Sequence, residues 1–414
     1  KNLNNFKDDI IEEENVIIGS GAGGSTTAFE LLKKKKSSII LEEGPDINSI
    51  DKSNIGKSIV QLYKNNGATP LYSFNGGPLI GYGQGSCVGG STYVNAGYYS
   101  NTPEWVFNDW IKNNRTNISY SNFQNLLNQI KSEMKINTED LSTNDNDSKF
   151  LLDRSNQIKW KIEKCERFSS GKIDEEKENM NNTYHKKIFK DGIDIVHDCK
   201  VDKIIVKNNE AKIVEAVDKK SNKKYKFKFK NLFVNCGPIN SPHLLIRNKL
   251  IKYENGQNNF EFHINFKIIV KFKNGINPNF TSKFNPDLPV SVFFVREFEK
   301  EGTLLSAANS EIPYLLATTS HFNDKIKKDL YSNFENYAMY VYQIKSKSFG
   351  QVKNIFGIPY VNYEYNKEDY SEIKKAIERT SKFFLEGGAD FVLFPVENST
   401  EIRTVKDSKN LIDN

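Results

Sequence analysis

Four glycines and one acid are the residues of this chain whose spacing most clearly implies chemistry. Gly19-Ser20-Gly21-Ala22-Gly23-Gly24 follows the apolar run Asn15 to Ile18 and opens a helix-like stretch from about Ala22 to Lys36, with Ala28, Leu31 and Leu32 on one face. In such a strand–turn–helix unit Gly19 permits the tight turn. Gly21 lets the backbone approach a pyrophosphate, and Gly24 lets the helix lie close on the sheet. The helix N-terminus then aims its free N–H groups at the phosphates. Ser38 to Leu41 predicts the next strand, and Glu42 stands 18 positions beyond Gly24. A carboxylate at that distance reaches the ribose hydroxyls of a dinucleotide. An acid there also disfavours a 2′-phosphate, which leaves FAD or NAD rather than NADP.

The remaining composition narrows the class. With 414 residues, 37% of them hydrophobic, and with 28 Phe and 19 Tyr, the chain has material for two packed domains and not for a disordered one. The 58 basic and 52 acidic residues leave a net charge of +6. The lysine runs (Lys33 to Lys36, and alternating positions from Lys224 to Lys230) lack an arginine–aromatic pattern and read as solvated faces, so no nucleic-acid partner is expected. Cys87, Cys165, Cys199 and Cys236 are too scattered for a zinc ribbon or a dithiol motif. No metal is expected, and free thiols fit a reducing, cytoplasmic compartment. No apolar run approaches a transmembrane length. The chain starts on Lys1 rather than Met and is read as a piece of a longer protein.

The elements that must position the glycines follow from periodicity. Gly44 to Leu79 reads as loops with a short helix near Ile59 to Lys64, and a second glycine cluster spans Gly76 to Gly97. Helices are predicted at Trp105 to Trp110 and Phe123 to Met134, with a polar loop from Thr138 to Ser148. Ile193 to Val196, Lys203 to Lys207, Ala211 to Val217 and Tyr225 to Phe229 predict a small antiparallel meander, and Leu232 to Asn235 a separate buried strand. Beyond Phe260, strands are predicted at Phe266 to Phe272, Val290 to Val295, Tyr314 to Thr319, Tyr337 to Ile344 and Gln351 to Tyr363. Lys367 to Glu386 is an amphipathic helix ended by Gly387-Gly388. The expected architecture is α/β, with a Rossmann-like dinucleotide domain followed by a mainly antiparallel sheet covered by helices (α+β).

Two further motifs give a resemblance. Gly85-Ser86-Cys87-Val88-Gly89-Gly90-Ser91-Thr92-Tyr93-Val94-Asn95-Ala96-Gly97, followed by Thr102-Pro103 and Trp110, resembles the first signature of the glucose–methanol–choline family of flavoprotein oxidoreductases. Gly237-Pro238-Ile239-Asn240-Ser241-Pro242-His243-Leu244-Leu245 resembles its second signature. The wording is most similar to the long-chain alcohol oxidase branch, and the likeness runs from about Asn15 to about Phe394. It implies FAD as the cofactor. Gly19, Ser20, Gly21, Ala22, Gly23 and Gly24 match the pyrophosphate turn and Glu42 the ribose acid. Gly89, Gly90 and Ser91 match a loop at the pyrophosphate, and Asn95, Ala96 and Gly97 the segment against the flavin ring. Val201 matches the backbone contact to the adenine edge, and Gly237 heads the second signature. The resemblance also implies an FAD-binding part at 14–110 and 190–258, a helical insertion at 111–189, a substrate-binding part at 259–396, and a connection from 397 to 414 toward a missing C-terminal segment.

The implied reaction is oxidation of the CH–OH group of a small-molecule alcohol, its hydride passing to flavin N5 and then to oxygen, a quinone or a cytochrome. Two departures matter. Asn101 stands where relatives place Arg, and the family's C-terminal catalytic His has no counterpart, since no histidine follows His321. That base is expected beyond Asn414, so these 414 residues alone are expected to be inactive. His185, His197, His243, His263 and His321 read as ordinary structural or exposed side chains. A non-redox or degenerate flavin-binding protein of the same fold is the alternative. An NAD(P)H reductase is disfavoured, because no second glycine fingerprint follows a strand.

Overall fold

The computed structural model describes residues 1–67, 69–71, 80–113, 116–138, 146–169, 177–252, 260–276, 291–308, 310–397 and 399–413. Gly76 to Leu79 of the second glycine cluster, most of the loop expected from Thr138 to Ser148, and Val290 lie outside them.

The Ile10–Ile18 strand sits inside a six-stranded sheet, with parallel neighbours Ser38–Leu41 and Lys224–Val234. Its C-terminal half is continuously apolar because both faces are covered. Val16 and Ile18 enter one core cluster and Ile17 another on the opposite face. Ile18 pairs with both Leu41 and Val234, so the three strands end on one line. That line is where open α/β sheets bind ligands. Buried Asn15 is kept by two hydrogen bonds. Its amide donates to Ser37 O at 2.6 Å, and its oxygen accepts from Asn231 Nδ2 at 3.0 Å.

Several expected elements move. Ile193 to Val196 does not join the antiparallel meander. Asp194–Val196 pairs parallel with Ser38–Leu41 at the sheet edge, because Glu42 N bonds Val196 O at 2.8 Å and extends that ladder. The two strands expected between Tyr225 and Asn235 are one, Lys224–Val234. It pairs antiparallel with Glu210–Asp218 on one side and parallel with Ile10–Ile18 on the other, joining meander and parallel core. The helix expected near Ile59 spans Ile55–Leu62, since Asn54 Oδ1 accepts from Gly56 N and Lys57 N and starts it earlier. Ser119 likewise caps Tyr120–Glu133.

A second six-stranded sheet contains His263–Lys271 and Tyr337–Lys345 as adjacent antiparallel strands. One face packs under the Lys367–Glu386 helix through Ala376, Ile377, Phe383 and Phe384. Within 111–189, Ile162–Lys164 pairs at the edge of this sheet, and Leu151 of the Asn146–Gln157 helix enters its core. Tyr314 to Thr319 is not a strand. Ile312–Thr318 is a helix opened by a proline in its first turn, and the Thr318 and Thr319 hydroxyls donate to Tyr314 O and Leu315 O. Gln351 to Tyr363 folds as a separate hairpin, Gln351–Ile355 with Ile358–Asn362. Val352 and Val361 pack on Ile239 of the Gly237–Arg247 helix.

Candidate functional site

A cleft of about 800 Å³ opens at the carboxyl ends of the parallel strands. It is lined by Gly19, Gly21, Ala22 and Gly23 from the first turn and by Gly90, Ser91 and Asn95 from the second glycine loop. Glu42, Val201 and Gly237 line it as well. Of the other expected site residues, Ser20 and Gly24 lie buried behind the first turn, while Gly89, Ala96 and Gly97 lie behind the second loop's lining residues.

The two glycine segments meet back to back. Gly90, at φ +55°, lies so close to Gly21 that a Cβ on it would come 2.9 Å from Gly21 Cα. A Cβ on Gly24 would come 1.9 Å from Gly19 O, so the Ala22–Lys33 helix can seat here only as glycine. That helix has Gly21 at its N-cap and no side-chain cap. Its first N–H groups therefore remain for an anion at the cleft.

Glu42 is buried and accepts three hydrogen bonds. Oε2 takes Ser20 N at 2.9 Å and Ser20 Oγ at 2.8 Å, and Oε1 takes Gly44 N at 2.8 Å. Burial pushes its carboxyl pKa up, opposed by those donors. Ser20 Oγ accepts from Gly89 N at 3.0 Å, which ties the acid to the second loop.

Behind the turn runs a polar chain that sequence reasoning missed. Ser25 Oγ lies 2.7 Å from both Ser20 O and His185 Nε2. His185 Nδ1 lies 3.2 Å from Asn181 Oδ1, and Asn181 Nδ2 donates to Val88 O at 2.9 Å. Burial lowers the His185 pKa to about 4. Two buried cations hold the Asn95–Gly97 segment from behind. Lys177 Nζ donates to Tyr93 O at 3.0 Å and to Asn95 O at 2.5 Å, and Arg167 donates to Ala96 O at 3.2 Å. Gln84 was also missed. It donates to Cys236 O at 3.2 Å and accepts from Asn240 Nδ2 at 2.9 Å, closing the cleft floor beside Gly237. No local pattern marks these residues, since the contacts that tie them to the cleft span long stretches of chain, 160 positions from Ser25 to His185 and 82 from Lys177 to Asn95.

The histidines stand apart from a common catalytic geometry. His243 lines the cleft but is bonded through Nε2 to Asn354 Oδ1 at 3.0 Å, and burial lowers its pKa. His197 Nδ1 pairs with Asp198 at 2.8 Å, while His263 and His321 are exposed. Among the described residues, no group of three or more His, Cys, Asp and Glu is placed to hold a metal ion. No described helix is long and apolar enough to cross a membrane.

The cradle fits a flavin dinucleotide: an uncapped helix N-terminus, glycines whose side chains would fill the space, and an acid on the second strand, all on one cleft. Residues 14–265 match the family model described as GMC oxidoreductase. Among solved structures the chain is similar to a formate oxidase (TM-score 0.70, 12% identity, covering 98% of this chain and 87% of that one). A formate oxidase of Aspergillus oryzae RIB40 matches with the same values. Pyridoxine 4-oxidase from Mesorbium loti matches at TM-score 0.68 and 12% identity, over 97% of this chain and 85% of that one. At such identity the structural likeness speaks for the fold. No curated protein matches the chain by sequence. The family match covers more than half of the chain and includes both glycine segments, so the protein belongs to the GMC oxidoreductase family, and its cofactor is FAD.

Proposed function

We propose that the chain is the FAD-binding and substrate-binding part of an oxidoreductase that oxidises the CH–OH group of a small-molecule alcohol. One observation carries this reading: the Gly19–Gly24 turn and the Gly85–Gly97 loop converge on a single cleft and touch at Gly21 and Gly90. On this reading the first N–H groups of the Ala22–Lys33 helix hold the pyrophosphate, and the Gly89–Ser91 loop closes on it from the other side. Glu42 accepts from the adenosine ribose, exchanging part of its present hydrogen bonding, and the Val201 backbone meets the adenine edge. Asn95 to Gly97 lie against the flavin ring, stiffened by Lys177 and Arg167. Gly237 leaves room for Gln84 beside the cofactor. Bound FAD supplies the hydride acceptor. The corresponding division is an FAD-binding part at 14–110 and 190–258, with the substrate wall drawn from 259–396. The matched structures are named as oxidases of formate and pyridoxine, which favours a small substrate.

A second reading, flavin binding without turnover, is favoured by the histidines. His185 and His243 are held in hydrogen bonds, and neither shares a site with a second candidate acid or base. One experiment separates the two. The purified 414-residue chain is examined for flavin absorption and then assayed for dye-coupled oxidation of primary and secondary alcohols. Flavin bands with turnover support the first reading, and flavin bands without turnover support the second. Bound NAD in place of flavin would overturn both.

A further inference from the structure

The hairpin of Gln351–Ile355 and Ile358–Asn362 runs along the Gly237–Arg247 helix and ends at the cleft. Val352 and Val361 pack on Ile239, and Asn354 Oδ1 lies 3.0 Å from His243 Nε2. Two strand residues and four helix residues each advance about 6 Å, so the two elements stay in step. The next step along both brings the hairpin tip, Phe356 and Gly357, level with Arg247. Gly357, Ile358 and Pro359 line the cleft together with His243, Leu244 and Arg247. Arg247 is tied in turn to the strand that carries Val201. Its Nη2 donates to Asp202 O at 2.6 Å, and its Nη1 pairs with Asp202 Oδ1 at 2.9 Å. The tip therefore stands at the same end of the cleft as Val201.

The tip is built against its own stability. Ile355 pairs with Ile358, which leaves Phe356 and Gly357 as a two-residue turn, at φ +49° and +83°. Turns with both residues at positive φ favour Asn or Gly in the first position. A phenylalanine there is strained. Its side chain is also fully in solvent, Phe356 being 100% exposed and Ile358 65% exposed. Val352 and Asn354 meet the helix, and Phe356 is the next position of that alternating row. A strained residue with a bare aromatic ring, next to the lining of a ligand cleft, is accounted for by a ligand that covers the ring.

We propose that Phe356, with Ile358 at the rim, closes over the adenine of bound FAD. Adenine offers two apolar faces and a polar edge. The Val201 backbone serves the edge on the reading given above, and a base face stacks well on an aromatic side chain. The tip residues Phe356, Gly357, Ile358 and Pro359 carry no charge, which suits a neutral flat ring and not the pyrophosphate. The flavin ring is assigned to the other segment, Asn95 to Gly97. The hairpin forms its own two-stranded sheet, so its tip is free to flex toward the cleft while Val352 and Val361 hold its base. The proposal rests on the adenine lying at Val201, as in the function proposed above.

The test is titration of the flavin-stripped 414-residue chain with FAD and with FMN, which lacks the adenosine, followed by flavin fluorescence. Phe356→Asn is expected to weaken FAD about tenfold or more and to leave FMN unchanged. Ile358→Ser weakens FAD alone, by less, and Phe356→Tyr keeps the parent affinity. Asn also relieves the strained turn, so the flavin-free Phe356→Asn chain should melt no lower than the parent. Unchanged FAD affinity in Phe356→Asn overturns the proposal. So does a loss shared equally by FMN, or one that comes with a lower melting temperature, since either makes the tip merely structural. Vesicle binding or self-association lost in Phe356→Asn with FAD affinity intact overturns it too, in favour of a membrane or a second copy. The underlying reading fails separately. A parent that binds FMN as tightly as FAD has no adenine site at Val201, and the clasp falls with it. A parent that prefers FAD, with that preference intact in Phe356→Asn, loses the clasp alone.

Discussion

His185 offers a direct test of how burial and hydrogen bonding compete beneath the cofactor turn. Asn181 Nδ2 donates to Val88 O, so Asn181 turns its oxygen toward His185 Nδ1 and calls for a proton there. Ser25 has one hydroxyl proton and two acceptors at 2.7 Å, Ser20 O and His185 Nε2. A charged imidazolium would satisfy every partner: Nδ1 would donate to Asn181, Nε2 to Ser25, and Ser25 to Ser20. Against this stands the cost of a cation in a fully buried site, and burial wins, holding the pKa at about 4 against the ordinary 6.5. The folded protein then binds fewer protons than the unfolded chain between those values. The stabilising contribution is present above pH 6.5, falls as pH drops through 6.5, and stops changing below about 4. The full gap corresponds to about 3 kcal/mol, of which about 2 kcal/mol is lost between pH 7 and pH 5. The measurement is urea unfolding of the flavin-loaded protein across that range, beside His185→Gln. The variant should start less stable but lose about 2 kcal/mol less on acidification. Equal pH slopes in the two proteins, or an imidazole NMR titration near or above 6.5, would refute the reasoning and show that the acceptors outweigh desolvation.

Two other substitutions probe the cleft. Glu42→Ala removes the acceptor for Ser20 and Gly44 donors and, on our reading, for the ribose. Charge-assisted bonds of this kind contribute about 1.5–3 kcal/mol, so FAD retention measured by dialysis should weaken about tenfold or more; unchanged occupancy would mean that the acid is misassigned. Gly24→Ala forces a Cβ to 1.9 Å from Gly19 O and should yield flavin-free or insoluble protein. Gly81→Ala, where nothing lies within 4 Å, should behave as the parent in the same absorbance and melting assays.

The sequence by itself determined the part of the site built from local backbone geometry. The Gly19–Gly24 turn, the Ser38–Leu41 strand and Glu42 are legible because one strand, one turn and one helix place them within a short stretch of chain. The second glycine loop is legible for the same reason: glycine is required wherever two backbones approach, as Gly90 does at Gly21. Polarity alternation could not tell that Tyr225 to Val234 is one strand with two kinds of neighbour, since pairing direction is set by distant strands. Nor could it separate the Ile312–Thr318 helix from a strand, where a short apolar run fits both periods until a proline at the start and back-bonded threonines decide it. Only the tertiary structure brought Lys177 and Arg167 behind the Asn95–Gly97 segment and linked Ser25 to His185. Those contacts join residues scores of positions apart. They depend on sheet register and on which face a neighbouring element covers, and neither leaves a periodic trace in the chain.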